Sequence, residues 1–298
     1  MVFKKCILIA FMVSAIFSSA VYGGQSDENL NESVVTSIEE MQQQKTWSDY
    51  FVVAHACGAV DGRTETNCKE AFIQNYEKGQ RVFEIDFSLT LDNKLVARHD
   101  FEQNSYYVME QSYNKKVPVM IYDKFMSTPI NYKYTPMDAD MVVSLLNEYK
   151  DAYIITDSKN TDKASIEKEF TLLKEAVERS ENEELFDRIV VQVYYPEMQG
   201  DVRSLGGFKN FMLTTYQITN PDYGQLAEYC SKNDIEAMVL PKEIVTKAIT
   251  DTIHSKGVKV YTHTLNRLYD IKQHIDVYGI DGVYSDIIVE SDMNYITK

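Results

Sequence analysis

Two acids stand one residue apart inside the apolar run Val82-Phe83-Glu84-Ile85-Asp86-Phe87. Alternate side chains of a β-strand share a face, so Glu84 and Asp86 point one way while Phe83, Ile85 and Phe87 point the other. Buried side by side, two carboxylates repel each other and lose hydration unless something positive sits between them. A divalent cation that prefers oxygen ligands meets that need. Asp157 and Lys159 repeat the spacing after a second apolar run, Tyr153-Ile154-Ile155. Asp157 offers the ion a third carboxylate, and Lys159 a compact cation suited to a phosphate oxygen. His55 ends the run Phe51-Val52-Val53-Ala54, and His99 ends a strand that returns after the turn at Asp92-Asn93. Their protons move near neutral pH, so one can take a proton while the other protonates a leaving oxygen. A cation, a lysine and two histidines around an anionic centre are the parts of phosphodiester cleavage. The bland alternative leaves the two acids on the solvated face of an edge strand and His99 in a loop.

The elements that must position these residues follow a regular alternation. Strands centred on residues 53, 84, 155, 191, 213, 239, 260 and 284 are each followed by a helical or near-helical stretch. The first such helix is capped by Asn67 and stopped by Gly79; another opens at Pro136 and runs to Tyr149. The pattern predicts further helices over 163–179, 221–231, 242–254 and 266–278. Eight βα units close into an α/β (β/α)8 TIM barrel, here a single domain over 49–298 with an aromatic, polar excursion over 101–135 after the second strand. A doubly wound open sheet is the competing architecture, but its Gly-rich first turn is missing. In a barrel, chemistry gathers where strands end at their C-terminal face. His55, Glu84, Asp86, Asp157, Lys159, Gln192, His263 and Asp286 all fall at such ends.

Of the 298 residues, 45 are acidic and 30 are Lys or Arg, giving a net charge of −15. A phosphate polyanion would be repelled, which excludes nucleic acid as a partner and argues against a polybasic membrane surface, though not against a lipid substrate. Residues 1–23 carry a short basic start, an apolar run and small residues, the pattern of a cleaved secretory signal that directs a chain out of the cytoplasm; an uncleaved anchor is the alternative. Cleavage would remove two lysines and leave 28 − 45 = −17. No later segment is long and apolar enough to span a bilayer. Residues 24–48 read as a polar spacer. Cys57, Cys68 and Cys230 match no metal-binding spacing. In an exported chain Cys57 and Cys68 have two readings, a disulfide or two small buried thiols.

The order His55, Gly58, Asn67, Ala71-Phe72, Gly79, Glu84-Ile85-Asp86, Leu89-Thr90, Asp92, Leu95-Val96, His99-Asp100 resembles the glycerophosphodiester phosphodiesterase family, within the phosphatidylinositol-phospholipase-C-like barrel superfamily. Asp157-Ser158-Lys159, the run Thr262-His263-Thr264-Leu265-Asn266 and the segment Gly279 to Asp286 extend the likeness over roughly residues 50–290. The resemblance implies Ca or Mg held by Glu84, Asp86 and Asp157, an acid–base pair of His55 and His99, and attack by a neighbouring substrate hydroxyl through a cyclic phosphate. Lys159, Asn67, Gln192 and His263 complete the expected set as substrate-binding residues. The chain departs from the family pattern where His-Arg-Gly becomes His55-Ala56-Cys57-Gly58, where Glu-Asn becomes Thr66-Asn67, where the third acid is Asp157 rather than Glu, and where a tryptophan is replaced by His263. The expected activity is hydrolysis of a glycerophosphodiester or phospholipid head group, a small-molecule or lipid phosphodiester. The alternatives are a phospholipase D-like lyase ending at a cyclic phosphate, and a catalytically weak barrel that binds a carbohydrate or anionic ligand through Tyr106, Tyr107, Tyr113, Tyr122 and Phe125.

Overall fold

Eight parallel strands close on themselves. A computed structural model describes residues 45–296, so the expected signal at 1–23 and most of the spacer at 24–48 lie outside the described residues. The strands are β1 (Val52–Ala54), β2 (Val82–Leu89), β3 (Leu95–Ala97), β4 (Tyr153–Ser158), β5 (Ile189–Val193), β6 (Asn210–Thr214), β7 (Ile235–Pro241), β8 (Lys259–His263) and β9 (Gly282–Ser285). β1 pairs in parallel with both β2 and β9, which closes the ring; β3 pairs antiparallel with β2 alone and stays outside it.

The sequence parity sets what each face holds. Val53, Val82, Ile155, Val190, Met212, Val239, Tyr261 and Tyr284 form one buried cluster, with Trp47 among them. Their alternates Phe83, Ile85, Ile154, Val191, Leu213, Met238 and Val260 belong to a second cluster shared with the helices. Strands buried on both faces need such continuous apolar runs. Trp47 stacks at a tilt on Tyr261, with 5.9 Å between ring centroids. Gly282, paired in register with Tyr261, lies under that ring, and a Cβ there would come within 2.1 Å of it. Trp47 and Ser48, assigned to the spacer from sequence, are buried, and the compact unit begins at Thr46.

The shell comprises α1 (Lys69–Glu77), α2 (Gln103–Val108), α3 (Tyr122–Met126), α4 (Ala139–Glu148), α5 (Lys163–Arg179), α6 (Pro196–Ser204), α7 (Tyr223–Lys232), α8 (Lys247–His254) and α9 (Leu268–Gln273). α1 is capped by Cys68, whose sulfur accepts from Ala71 N, and not by Asn67. α4 opens at the Asp138 cap, beyond Pro136. The helix expected from residue 242 starts only at Lys247. Lys242 N is tied to His263 O and Ile244 N to Pro241 O, so the chain turns first and Thr246 then caps the helix.

The 101–135 excursion carries α2 and α3 around a small core of its own, Val96, Phe101, Tyr106 and Phe125. Tyr106 and Phe125 are therefore packing residues, whereas Tyr107 is exposed. Cys57, Cys68 and Cys230 are buried free thiols. Among the described residues no helix is long and apolar enough to cross a membrane.

Candidate active site

The parity that fills the barrel with apolar side chains continues upward into polar ones. On β2 the inward series Val82, Glu84, Asp86 climbs toward the mouth, and on β4 Ile155 is followed by Asp157. Asp86 and Asp157 are register partners on adjacent strands, so the two carboxylates are neighbours by construction. One oxygen from each of Glu84, Asp86 and Asp157 lies within 4.8 Å of the others, and all three residues are buried.

Each acid is aimed by a specific donor. After His55 the chain turns through three consecutive left-handed residues, Ala56, Cys57 and Gly58, with φ of 47°, 69° and 79°. The turn points Ala56 N at Glu84 Oε2, 2.6 Å away. For alanine and cysteine that conformation is strained, and strain of this kind persists where surrounding contacts over-determine it. Asn67, also left-handed, donates from Nδ2 to Asp86 Oδ2 at 2.8 Å and accepts from Asp86 N at 3.0 Å. Asp157 accepts from the Tyr194 hydroxyl, which in turn receives the Tyr216 hydroxyl at 2.9 Å. Lys159 Nζ lies against Asp157 and sits 2.9 Å from Asp86 Oδ1.

One lysine does not balance three acids. Glu84 Oε1 is buried without a hydrogen-bond partner. Burial and the neighbouring Asp86 push the Glu84 carboxyl up to about 8. Burial also opposes ionisation of Asp86, but Lys159, His99 and His55 hold it below the usual carboxylate range. An all-oxygen set with an orphaned carboxylate oxygen fits a hard divalent ion, which would supply the missing positive charge. The donor set and the ion suit each other.

The two histidines are built alike. His55 Nδ1 is 2.7 Å from Asp286 Oδ1, and Asn266 Nδ2 donates to the other Asp286 oxygen at 2.6 Å. His99 Nδ1 is 2.6 Å from Asp100 Oδ2, while Asp100 Oδ1 accepts from Glu102 N and Ser105 Oγ. A carboxylate on Nδ1 fixes the ring and leaves Nε2 for chemistry. Burial pulls the His55 imidazolium down, but Asp286, Glu84 and Asp86 outweigh it and raise it to about 10. His263 closes the far side, its ring edge-on to Tyr216 and Tyr284 at 5.2 and 6.4 Å. Burial lowers its pKa and its Nε2 has no partner.

Two residues expected to bind substrate are occupied otherwise. Both ends of the Asn67 amide are spent on Asp86, so Asn67 orients a carboxylate of the acid triad. Gln192 is 2% exposed and its amide oxygen accepts from the Tyr284 hydroxyl at 2.8 Å, inside the barrel. Its place at a strand end is real, but Tyr284 takes its oxygen. Conversely, sequence reading missed Asp100, Tyr194 and Tyr216, and gave Asp286 a place without a role. Parity with Glu84 and His263 could have found the two tyrosines, since each lies two residues beyond an inward strand position. The pairing of Asp286 with His55 spans 231 residues of chain and leaves no local signal.

The family model for the glycerophosphoryl diester phosphodiesterase family matches residues 60–290. The chain belongs to that family. Solved structures with the same fold include a glycerophosphodiester phosphodiesterase from Parabacteroides distasonis, 15% identical, covering 83% of this chain and 97% of its own, with a TM-score of 0.65. An Oleispira antarctica phosphodiesterase, described in complex with the product sn-glycerol-3-phosphate, is 14% identical over 83% and 97%, at 0.65. A Thermotoga maritima glycerophosphodiester phosphodiesterase is 17% identical over 83% and 98%, at 0.57. A search of curated proteins finds no match. Membership makes the chain a phosphoric diester hydrolase of the glycerophosphodiester phosphodiesterase type, and Glu84, Asp86 and Asp157 are the residues of this phosphodiesterase that could hold a metal.

Proposed function

We propose that this phosphodiesterase is an exported, metal-dependent enzyme that hydrolyses a glycerophosphodiester or a phospholipid head group by His55/His99 acid–base catalysis. The observation that carries the reading is the buried acid triad with an unpartnered Glu84 oxygen, together with two imidazoles that each lean on an aspartate and whose charges both act on Asp86. Calcium or magnesium suits oxygen-only ligands, and when bound would neutralise phosphate charge as a Lewis acid. Lys159 then offers its ammonium to a phosphate oxygen. His55, held protonated by Asp286 and the nearby carboxylates, suits protonation of the leaving oxygen; His99, oriented by Asp100, takes the proton of the attacking hydroxyl. Tyr216 and His263 form an aromatic wall against which the leaving group lies. The apolar run at the N-terminus supports export.

Chelation should abolish hydrolysis of bis-p-nitrophenyl phosphate, with activity returning on addition of Ca or Mg. His55→Ala or His99→Ala should each lower kcat by at least the ~10²-fold expected of an acid–base group. Full turnover in chelator, or in both variants, would overturn the reading. Phosphorus NMR of the product separates a monoester from a cyclic phosphate. An N-terminus beginning at Met1 on secreted material would reject signal cleavage.

A further inference from the structure

Behind the acid triad lies a carboxylate with no place in the chemistry above. Glu169, on α5, is 2% exposed, and its two oxygens serve the last residue of β4 and a residue of the loop that follows it. Ser158 Oγ donates to Oε2, and Asn160 Nδ2 donates to Oε1 at 2.6 Å. Ser158 and Asn160 are the residues on either side of Lys159. The lysine between them reaches Asp86 and Asp157.

We propose that Glu169 is a positioning residue for Lys159: by gripping both of its neighbours, one buried carboxyl fixes the loop so that the ammonium is delivered to the phosphate position. The inference rests on the phosphodiesterase reading above, and on Lys159 touching the substrate. The loop needs such a grip because it leaves β4 at Ser158 and reaches the Asp162 cap of α5 with no other side chain holding Ser158 Oγ or Asn160 Nδ2 among the described hydrogen bonds. A buried carboxyl is a costly way to hold a loop that has no job, since burial without ion pairing penalises its charged form. Here burial indeed moves the Glu169 carboxyl above its usual range, more than the two donors pull it back. A neutral side chain of the same shape should therefore serve. Gln can accept from Asn160 through its oxygen and donate to the Ser158 hydroxyl, which rotates to suit.

The test is a variant series assayed on bis-p-nitrophenyl phosphate with saturating metal, well below each variant's Tm. Glu169→Ala should lower kcat on the order of 10- to 100-fold, the scale expected when a reacting group is misplaced by about an ångström. Glu169→Gln should recover most of it, and Glu169→Asp, one methylene too short to reach both donors, should not. In a Lys159→Met background Glu169→Ala should cost nothing further, because both changes remove the same delivered charge. A Glu169→Ala enzyme with lowered Tm but unchanged kcat, or a full additional loss in the Lys159→Met background, would overturn the proposal while leaving the phosphodiesterase reading intact. Undiminished turnover in Lys159→Met alone would also overturn the proposal, since the ammonium would then have no part in the reaction, whereas full turnover in chelator would strike at the phosphodiesterase mechanism itself.

Discussion

At the scale of single residues, the site is a set of charges that cannot all be satisfied by protein. His55 shows the sign of that imbalance. Its folded pKa, about 10, lies above the ordinary histidine value near 6.5, so its stabilising contribution is complete below pH 6.5 and lost as pH rises through 10. In chelator, the Tm should fall across that window, and Asp286→Asn, which removes the bonded carboxylate, should flatten the fall. A Tm–pH curve in chelator identical for both proteins would disprove the His55–Asp286 linkage. The same scale explains what was legible. Glu84, Asp86, Asp157 and Lys159 announce themselves by charge inside apolar strands, where a buried charge demands a partner. Asn67 and Glu169 do not. An amide before a helix reads as a cap, and a glutamate in a helix reads as solvated surface; only the folded chain shows one facing Asp86 and the other buried.

At the scale of elements, strands were readable because most of their residues are buried on both faces and so form largely apolar runs, broken chiefly by the acids of the site. Helix starts were less so, since tertiary hydrogen bonds decide where a turn ends and a helix begins, as at Lys242 to Thr246. The excursion gave no periodicity because its helices, α2 and α3, are only six and five residues long and its apolar side chains are divided between a small core of their own and the main core, which takes Met109, Ile130 and Tyr134. Under the proposed mechanism that small core has a consequence for His99. Ser105, on α2, and Glu102 N hold Asp100, and Asp100 holds His99. Arg98 adds to the grip: its guanidinium lies over the rings of Phe101 and Tyr106 and its Nε donates to Asp100 O at 2.5 Å. Phe125→Ala should remove roughly 3–5 kcal/mol of packing at the centre of this unit. We expect kcat to drop while KM for a small diester stays within a few-fold, and limited proteolysis to cut first within 101–135. Cleavage elsewhere first, with kcat unchanged, would show that the excursion does not support His99.

At the scale of the whole molecule, the mouth of the barrel is where an acidic chain concentrates its most costly charges, and a cation held there would act as a staple between strands. Glu84 and Asp86 stand on β2, Asp157 on β4, and the Glu84 carboxylate is tied to the turn after β1. Without a cation Glu84 costs the fold stability as the pH rises. Its folded pKa of about 8 is raised from 4.5, so it favours the fold in acid and that advantage is lost as pH rises through 8. Removing this charge should therefore help the metal-free protein and deprive the metal of a ligand. In chelator near pH 8.5, Glu84→Gln should melt above the parent enzyme. With Ca or Mg at about 100 times its Kd, linkage gives the parent about 2.7 kcal/mol of added stability, and a domain of this size should gain about 5–10 °C in Tm. Glu84→Gln should show little of that gain and almost no turnover. If instead the parent's Tm ignores both ions, or Glu84→Gln responds to them in full, then the triad is not the cation site, and the positive charge at the mouth comes from Lys159 and the protonated His55.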